Sequence, residues 1–130
     1  MTPDPTRQLV EYRLARARET LEEARLLLDA DRGNAAVNRL YYASFYSVSA
    51  LLLAHGHAAS KHSHVRSLFG RHYVKPGLVS KTLGAFFNEI FDRRQEGDYE
   101  DLVRFDAETV RPWLAMAADL IAEIEKLANG

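Results

Sequence analysis

The 130-residue sequence contains no cysteine, which excludes disulfide bonds, thiolate nucleophiles and zinc–sulfur sites. It also has no apolar stretch at its start that could act as a signal peptide. These two absences fit a reducing compartment, so we expect a cytoplasmic protein. Its content of 47% hydrophobic and 27% charged residues suits one soluble domain over residues 1–130. The most apolar segment, residues 35–54, contains Asn38, Arg39 and three serines, which favours a buried helix over a membrane span.

No acidic residue lies between Asp31 and Glu89, although the chain carries 18 acids. A buried helix explains the scarcity of charge in residues 35–54, but residues 60–81 are polar and positive. A surface of one sign concentrates anionic partners, such as a phosphate backbone, a nucleotide or an acidic protein. The alternative is that this segment packs against the acidic stretch 89–108. The predicted anion patch consists of Lys61, Arg66, Arg71, Lys75 and Lys81.

The sequence offers little sign of a metal or a cofactor. His62 and His64 stand two positions apart, so they do not share a helix face, and no acid lies near them in the sequence. The chain has no glycine-rich phosphate loop, serine nucleophile elbow or paired-carboxylate motif. We therefore predict no metal site and no cofactor.

Apolar residues recur every three to four positions, which predicts helices throughout the chain. We expect these helices at about residues 5–30, 35–54, 61–73, 78–94 and 106–128. Asn34 and Ser60 are plausible N-caps, and Gly97 is expected to interrupt the chain after the fourth helix. The second helix is apolar nearly all round and should be central. The sequence thus predicts an all-α, up-and-down antiparallel bundle of four long helices and one shorter helix.

One charged side chain, Arg39, stands within the second predicted helix. At helical spacing it shares a face with Tyr42 and Tyr46. A guanidinium in such a helix needs a carboxylate, a phosphate or the lip of a cleft. Arg39 therefore either pairs with an acid of another helix, for which Asp98 is the expected partner, or lines an anion-binding cleft with a tyrosine hydroxyl.

A second polar segment, residues 92–99, covers the end of the fourth predicted helix and the residues after it. It is either a helix end with local ion pairs, or a segment whose Arg94 and Asp98 orient a ligand. We treat both segments as one predicted ligand-binding set, formed by Arg39, Tyr42, Tyr46, Arg94, Asp98 and Tyr99.

Three ordered blocks of this sequence resemble the small prokaryotic HEPN domain proteins, and together they span about 60 central residues. The blocks are Arg39-x-Tyr41-Tyr42-Ala43-x-Phe45, then Lys61-His62-x-x-Val65 with Phe69 and Tyr73-Val74-Lys75-x-Gly77, and finally Arg94-x-x-x-Asp98-Tyr99. The resemblance implies a helical bundle that forms a homodimer, here through the second and fourth helices. It also implies a minimal nucleotidyltransferase partner in a toxin–antitoxin module. Many such proteins are metal-independent RNases that use an Arg-x(4–6)-His motif at the dimer cleft.

The sequence departs from this motif. Tyr46 stands after Arg39 where relatives often have histidine, and no histidine follows Arg94. Tyrosine, with a pKa near 10, is a poor base at neutral pH. The one formal match joins Arg66 to His72, and chance alone supplies about one or two such matches.

We therefore predict a protein that binds nucleotide, RNA or a nucleotidyltransferase partner with little or no catalysis. The alternative is a metal-independent endoribonuclease toxin. Its catalytic residues would be Arg66 and His72, or an atypical site around Arg94 and Asp98.

Overall fold

A computed structural model describes residues 4–100 and 102–130, and these residues form five α-helices. The helices are α1 (Pro5–Asp29), α2 (Gly33–Ala54), α3 (His62–Phe69), α4 (Lys81–Tyr99) and α5 (Ala107–Asn129). A π-helical turn, Gly70–Val74, extends α3, and its end is marked by the Lys75 N–H donating to the Gly70 carbonyl at 2.9 Å. The described residues contain no strand. The predicted all-α bundle of four long helices and one shorter helix is confirmed.

The central helix of the bundle is α2, which packs against the other four helices. Twelve of its residues are buried, including Leu40, Tyr41 and Leu51, which have no exposed surface. Each large apolar side chain buried in this way contributes about 1.5–3 kcal/mol to folding. None of the described helices combines the length and the apolar content needed to cross a bilayer.

The start of α2 differs from the prediction. The helix begins at Gly33, and Asn34 does not act as its N-cap. The Asn34 side chain instead holds the segment that precedes α5: its Nδ2 donates to the Val103 carbonyl at 2.9 Å, and its Oδ1 accepts from the Phe105 N–H at 2.7 Å. Asn34 therefore ties two distant parts of the chain together. Ser60 is likewise not a cap, since Lys61 occupies the N-cap position of α3 and makes no side-chain capping bond.

The end of α4 also differs, because the helix continues through Gly97 to Tyr99. Gly97 faces the next segment, and a Cβ at this position would lie 3.1 Å from Cε2 of Phe105. The glycine therefore permits close packing and does not break the helix. Because α4 continues, Arg94 and Asp98 stand one turn apart on the same face.

Candidate functional site

Arg94 is the most deeply buried charged side chain described in the protein, with 9% of its surface exposed. Its Nη2 donates to the Tyr42 hydroxyl at 2.9 Å, and its Nε lies 3.2 Å from Oδ2 of Asp98. The guanidinium carbon also lies 5.2 Å and 5.3 Å from the ring centroids of Tyr41 and Tyr42. Burying a guanidinium is costly unless its charge is compensated, and these contacts supply that compensation.

The hydrogen bonding of Arg94 is nevertheless incomplete. Its Nε is buried without a hydrogen-bond partner among the described residues, although the Asp98 carboxylate is near. Coulomb attraction acts at this distance whatever the direction of the N–H bond, whereas a hydrogen bond requires alignment. Of the five donors on this guanidinium, only one makes a well-formed hydrogen bond to a described group. The buried Nε cannot reach a ligand, but Nη1 makes no hydrogen bond to a described group and remains for a ligand oxygen.

Asp98 connects Arg94 to α2. Its Oδ2 accepts from Nδ2 of Asn38 at 2.9 Å, and Oδ1 of Asn38 accepts from Nη2 of Arg39 at 2.7 Å. The acid that pairs with Arg39 is Glu23 of α1, at 3.5 Å. The predicted direct pair between Arg39 and Asp98 is therefore wrong. Arg94 takes the carboxylate because it stands on the same helix one turn away, and Asn38 bridges the remaining gap.

The tyrosines of the predicted set surround these charges. The guanidinium carbon of Arg39 lies 5.3 Å from the Tyr42 ring centroid, and the Tyr46 ring lies 6.1 Å from that of Tyr42. Tyr99 is 71% exposed, with its ring centroid 5.6 Å from the guanidinium carbon of Arg94. The structure thus brings the six predicted residues into one Arg94 cluster, formed by Arg39, Tyr42, Tyr46, Arg94, Asp98 and Tyr99.

A histidine that sequence reasoning did not assign to this site lies beside the Arg94 cluster. Nδ1 of His62 is 2.7 Å from the Tyr41 hydroxyl, and the imidazole packs on Phe45 with ring centroids 4.3 Å apart. Burial lowers the pKa of His62, and the positive charge of Arg94 lowers it further. The imidazole is therefore neutral near pH 7. His62 belongs to the second block of the family resemblance, but its spacing in the sequence relates it to no residue of the Arg94 cluster.

The Tyr41 hydroxyl determines which nitrogen of His62 is left for a ligand. Burial raises the pKa of Tyr41, so this hydroxyl keeps its proton at physiological pH. If the hydroxyl donates to Nδ1, the proton of the neutral ring sits on Nε2. If it accepts from Nδ1, Nε2 has a free lone pair and can accept a proton. The pair can therefore offer either a donor or a base.

The residues of the predicted anion patch belong to several elements and form no ion pair with any described carboxylate. Arg66 is anchored on α4, where its Nε donates to Oδ1 of Asn88 at 3.1 Å and its guanidinium carbon lies 4.1 Å from the Phe91 ring centroid. The other four residues are exposed: Lys61, Arg71, Lys75 and Lys81. The alternative was that residues 60–81 pack against the acidic stretch 89–108. Within residues 4–100 and 102–130, no ion pair of these five residues supports it.

The formal Arg66–His72 motif is not assembled into one site. His72 stacks on His57, with ring centroids 4.4 Å apart, whereas Arg66 contacts α4. No described residue contacts both Arg66 and His72 through a hydrogen bond or an aromatic ring. Over the described part of the chain, no group of three histidine or acidic side chains is arranged to hold a metal ion.

Comparisons with known proteins agree with this architecture. Residues 10–127 match the family model described as the HEPN domain. The chain is 51% identical over 120 residues to a UPF0332 protein of Thermotoga maritima, covering 92% of this chain and 91% of that protein. It is 31% identical over 99 residues to MJ0142 of Methanocaldococcus jannaschii, which is named as a candidate toxin, covering 76% of this chain and 67% of that protein.

The fold is similar to that of TT1696 from Thermus thermophilus, a solved crystal structure. The TM-score is 0.77 over 91% of this chain and 97% of that chain, at 19% sequence identity. At this identity the likeness shows a shared fold alone.

Proposed function

This chain belongs to the HEPN domain family, and we propose that it binds RNA or a nucleotide by holding a phosphate group at the Arg94 cluster. The observation that carries the proposal is the buried guanidinium of Arg94, which keeps unused donors although it lies beside a carboxylate. A fully paired structural arginine would have no such donors to offer. Guanidinium groups match the geometry of phosphate oxygens and are the usual choice for binding them.

The side chains around Arg94 suit the rest of a nucleotide. The exposed ring of Tyr99 offers a face on which a base can stack. Arg39 supplies a second guanidinium whose ion pair with Glu23 is long and partly exposed, so a phosphate can replace the carboxylate at little cost. Asp98 fixes the orientation of Arg94 and, through Asn38, the orientation of Arg39.

The proposed setting is a toxin–antitoxin module, with a minimal nucleotidyltransferase as the partner protein. The name of the M. jannaschii relative supports the toxin part of this proposal. The family resemblance supports the partner. Co-expression with a nucleotidyltransferase encoded next to this chain, followed by co-purification, tests it; two proteins that elute separately would contradict it.

Titration of labelled RNA and of AMP tests the binding function. We expect Arg94→Lys to weaken binding of both ligands at least tenfold, because lysine keeps the charge but loses the planar fork of donors. The matched control is Arg93→Lys, a neighbouring arginine that is 46% exposed and, among the described residues, forms an ion pair only with Glu96. Equal affinity of wild type and Arg94→Lys, with both variants folded by circular dichroism, would overturn the proposal.

A second function, metal-independent RNA cleavage, is favoured by the position of His62 beside Arg94. A neutral imidazole would take the proton of the ribose 2′-hydroxyl while Arg94 holds the phosphate. The 2′-oxygen would then bond to phosphorus as the bond to the 5′-oxygen breaks and that oxygen gains a proton, leaving a 2′,3′-cyclic phosphate and a 5′-hydroxyl. Incubation of RNA with wild type, His62→Ala and His72→Ala tests this. We expect His62→Ala alone to abolish cleavage; an inactive wild type would leave binding as the sole function.

A further inference from the structure

A polar stripe continues along α2 from the Arg94 cluster toward the other end of the helix. Tyr42, Tyr46 and Ser49 recur every three to four residues, so they lie on one face, and all three are partly exposed. From Tyr42 to Ser49 the helix rises by about 10 Å. One phosphate group therefore cannot contact both ends of this stripe.

Arginines of α1 flank the same stripe. Nη1 of Arg13 donates to the Ser49 hydroxyl at 3.0 Å, and the guanidinium carbon of Arg16 lies 5.5 Å from the ring centroid of Tyr46. Along the seam between α1 and α2, Arg16 lies beside Tyr46 and Arg39 lies beside Tyr42, while Arg13 lies beside Ser49. Alternating cations and aromatic rings are the pattern by which proteins hold the backbone and the bases of a single-stranded nucleic acid.

The seam ends in a surface cavity of about 400 Å³. Its polar lining comes from Arg13, Ser49, His57, Ser60 and His64, and no carboxylate lines it. Arg13 makes no ion pair with any carboxylate in residues 4–100 and 102–130. The cavity therefore holds an uncompensated positive charge beside hydroxyl and imidazole groups, which suits a second phosphate.

We infer that the Arg94 cluster, the α1–α2 seam and this cavity form one RNA track, which binds a single-stranded RNA segment of several nucleotides. This inference rests on the proposed function and specifies its ligand as a strand, not a mononucleotide. The first phosphate lies at Arg94 and a later phosphate lies at Arg13, with bases stacking on the tyrosines between them.

The acidic residues near the RNA track do not block the binding of a phosphate there. Glu19 pairs with Arg16 at 3.0 Å and Glu23 pairs with Arg39 at 3.5 Å, and these two carboxylates are 63% and 45% exposed. Exposed ion pairs contribute little to stability because water screens them, so a phosphate can displace either carboxylate. The open end at Arg13 has no such competitor among its lining residues.

Salt-dependent affinity of the full-length chain tests the inference, with a ten-nucleotide single-stranded RNA, DNA of the same sequence, and AMP as probes. The double variant Arg13→Gln, Arg16→Gln should bind the RNA more weakly, with its log–log salt slope smaller by about 0.7 for each arginine lost. Its AMP affinity should match wild type, because AMP needs only the Arg94 end. The control is Arg18→Gln on the opposite side of α1, where Arg18 pairs with Glu125. Ser49→Ala, which keeps both charges, should leave the slope unchanged.

Each contrary result has a distinct meaning. A wild-type slope for the double variant, combined with weak binding by Arg94→Lys, overturns the RNA track and leaves the proposed function standing. A shift of the double variant between dimer and monomer in sedimentation, combined with a wild-type salt slope for RNA, assigns the seam to a subunit interface and overturns the track. Equal affinity for the DNA contradicts the choice of RNA. Failure of wild type to bind either RNA or AMP overturns the proposed function, and the track with it.

Discussion

Arg94 is the residue on which the site depends, because its burial requires partners that the surrounding residues only partly supply. Tyr42 takes one donor, Asp98 balances the charge, and two tyrosine rings cover the guanidinium. This arrangement stabilises the folded chain and at the same time leaves donors for a ligand. The structural role and the proposed binding role therefore fall on one side chain, and stability measurements must accompany every binding measurement.

Replacement of Asp98 by asparagine should destabilise the protein, since it leaves the Arg94 charge uncompensated. Loss of one partner of a buried ion pair costs about 3–5 kcal/mol, and because the Asp98 side chain is 26% exposed we expect a smaller loss of about 1–3 kcal/mol. Urea unfolding measures the change. Asp92→Asn, an exposed acid of the same helix, is the control, and an equal effect of the two variants would refute a structural role for the pair.

His62 should make stability depend on pH. Because its pKa is lower in the folded chain than in the unfolded chain, the unfolded chain binds more protons, and stability falls as pH drops through the unfolded pKa of about 6.5. His57, whose pKa is also lowered by burial, acts in the same direction. We expect His62→Gln to lose less stability than wild type between pH 7 and pH 5. His64→Gln serves as the control; identical pH profiles for wild type and His62→Gln would contradict the burial of this histidine.

Residue patterns predicted the members of the Arg94 cluster but not all their pairings. Helical spacing placed Arg39 with Tyr42, and that placement is observed. The partner of Asp98 depended on whether α4 passes Gly97, which local sequence does not decide. His62 was missed because its proximity to Arg94 arises from the packing of α3 beside α2 and α4, a tertiary feature that leaves no spacing signal in the sequence.

At the scale of helices, periodicity predicted every element, and the errors lie at helix ends. Glycine often marks the end of a helix, yet Gly33 and Gly97 both lie within helices and face Phe105. A glycine that permits close packing and a glycine that ends a helix look the same in a single sequence. For Gly33 the distinction depends on a contact with Phe105, which lies some 70 residues away in the sequence. Helix propensity reflects only nearby residues and cannot predict such a contact.

Two glycine substitutions should therefore have opposite effects. At Gly33 a Cβ would overlap the carbonyl oxygen of Phe105, so Gly33→Ala should destabilise the protein by more than about 1 kcal/mol despite the better helix propensity of alanine. At Gly70 a Cβ would meet nothing within 4 Å, so Gly70→Ala should be neutral or stabilising by up to about 1 kcal/mol. Thermal melts of the two variants measure the difference. A Gly33→Ala protein as stable as wild type would contradict the packing described here.

At the scale of the whole molecule, the homodimer through α2 and α4 stays a prediction. The exposed face of α2 in this interface would overlap the proposed RNA track, so the two uses of the surface should compete. We expect light scattering to show a dimer at tens of micromolar protein, with a dimer equilibrium that shifts when RNA is added. A monomer under all conditions would contradict the dimer and leave the track accessible.

The charge pattern of the chain predicted an anion-binding protein, but it pointed to residues 60–81. The structure spreads those cations over several elements, and it gathers the buried guanidinium and the tyrosines on α2 and α4 instead. A run of like charges along the sequence does not show which side chains will converge in the fold. The Arg94 cluster and the anion patch are therefore two alternative predictions of where a phosphate binds.

Nuclear magnetic resonance of the arginine side chains distinguishes these two sites most directly. On addition of single-stranded RNA to uniformly labelled protein, we predict a large chemical-shift change of the Arg94 Nε–H resonance. Nε itself is buried, and its resonance should shift because a phosphate at the terminal nitrogens changes the charge distribution of the same guanidinium. The Nε–H of Arg93 should stay unchanged. RNA binding that shifts the resonances of Arg66, Arg71 and the patch lysines, with that of Arg94 unmoved, would contradict the claim that Arg94 holds the phosphate.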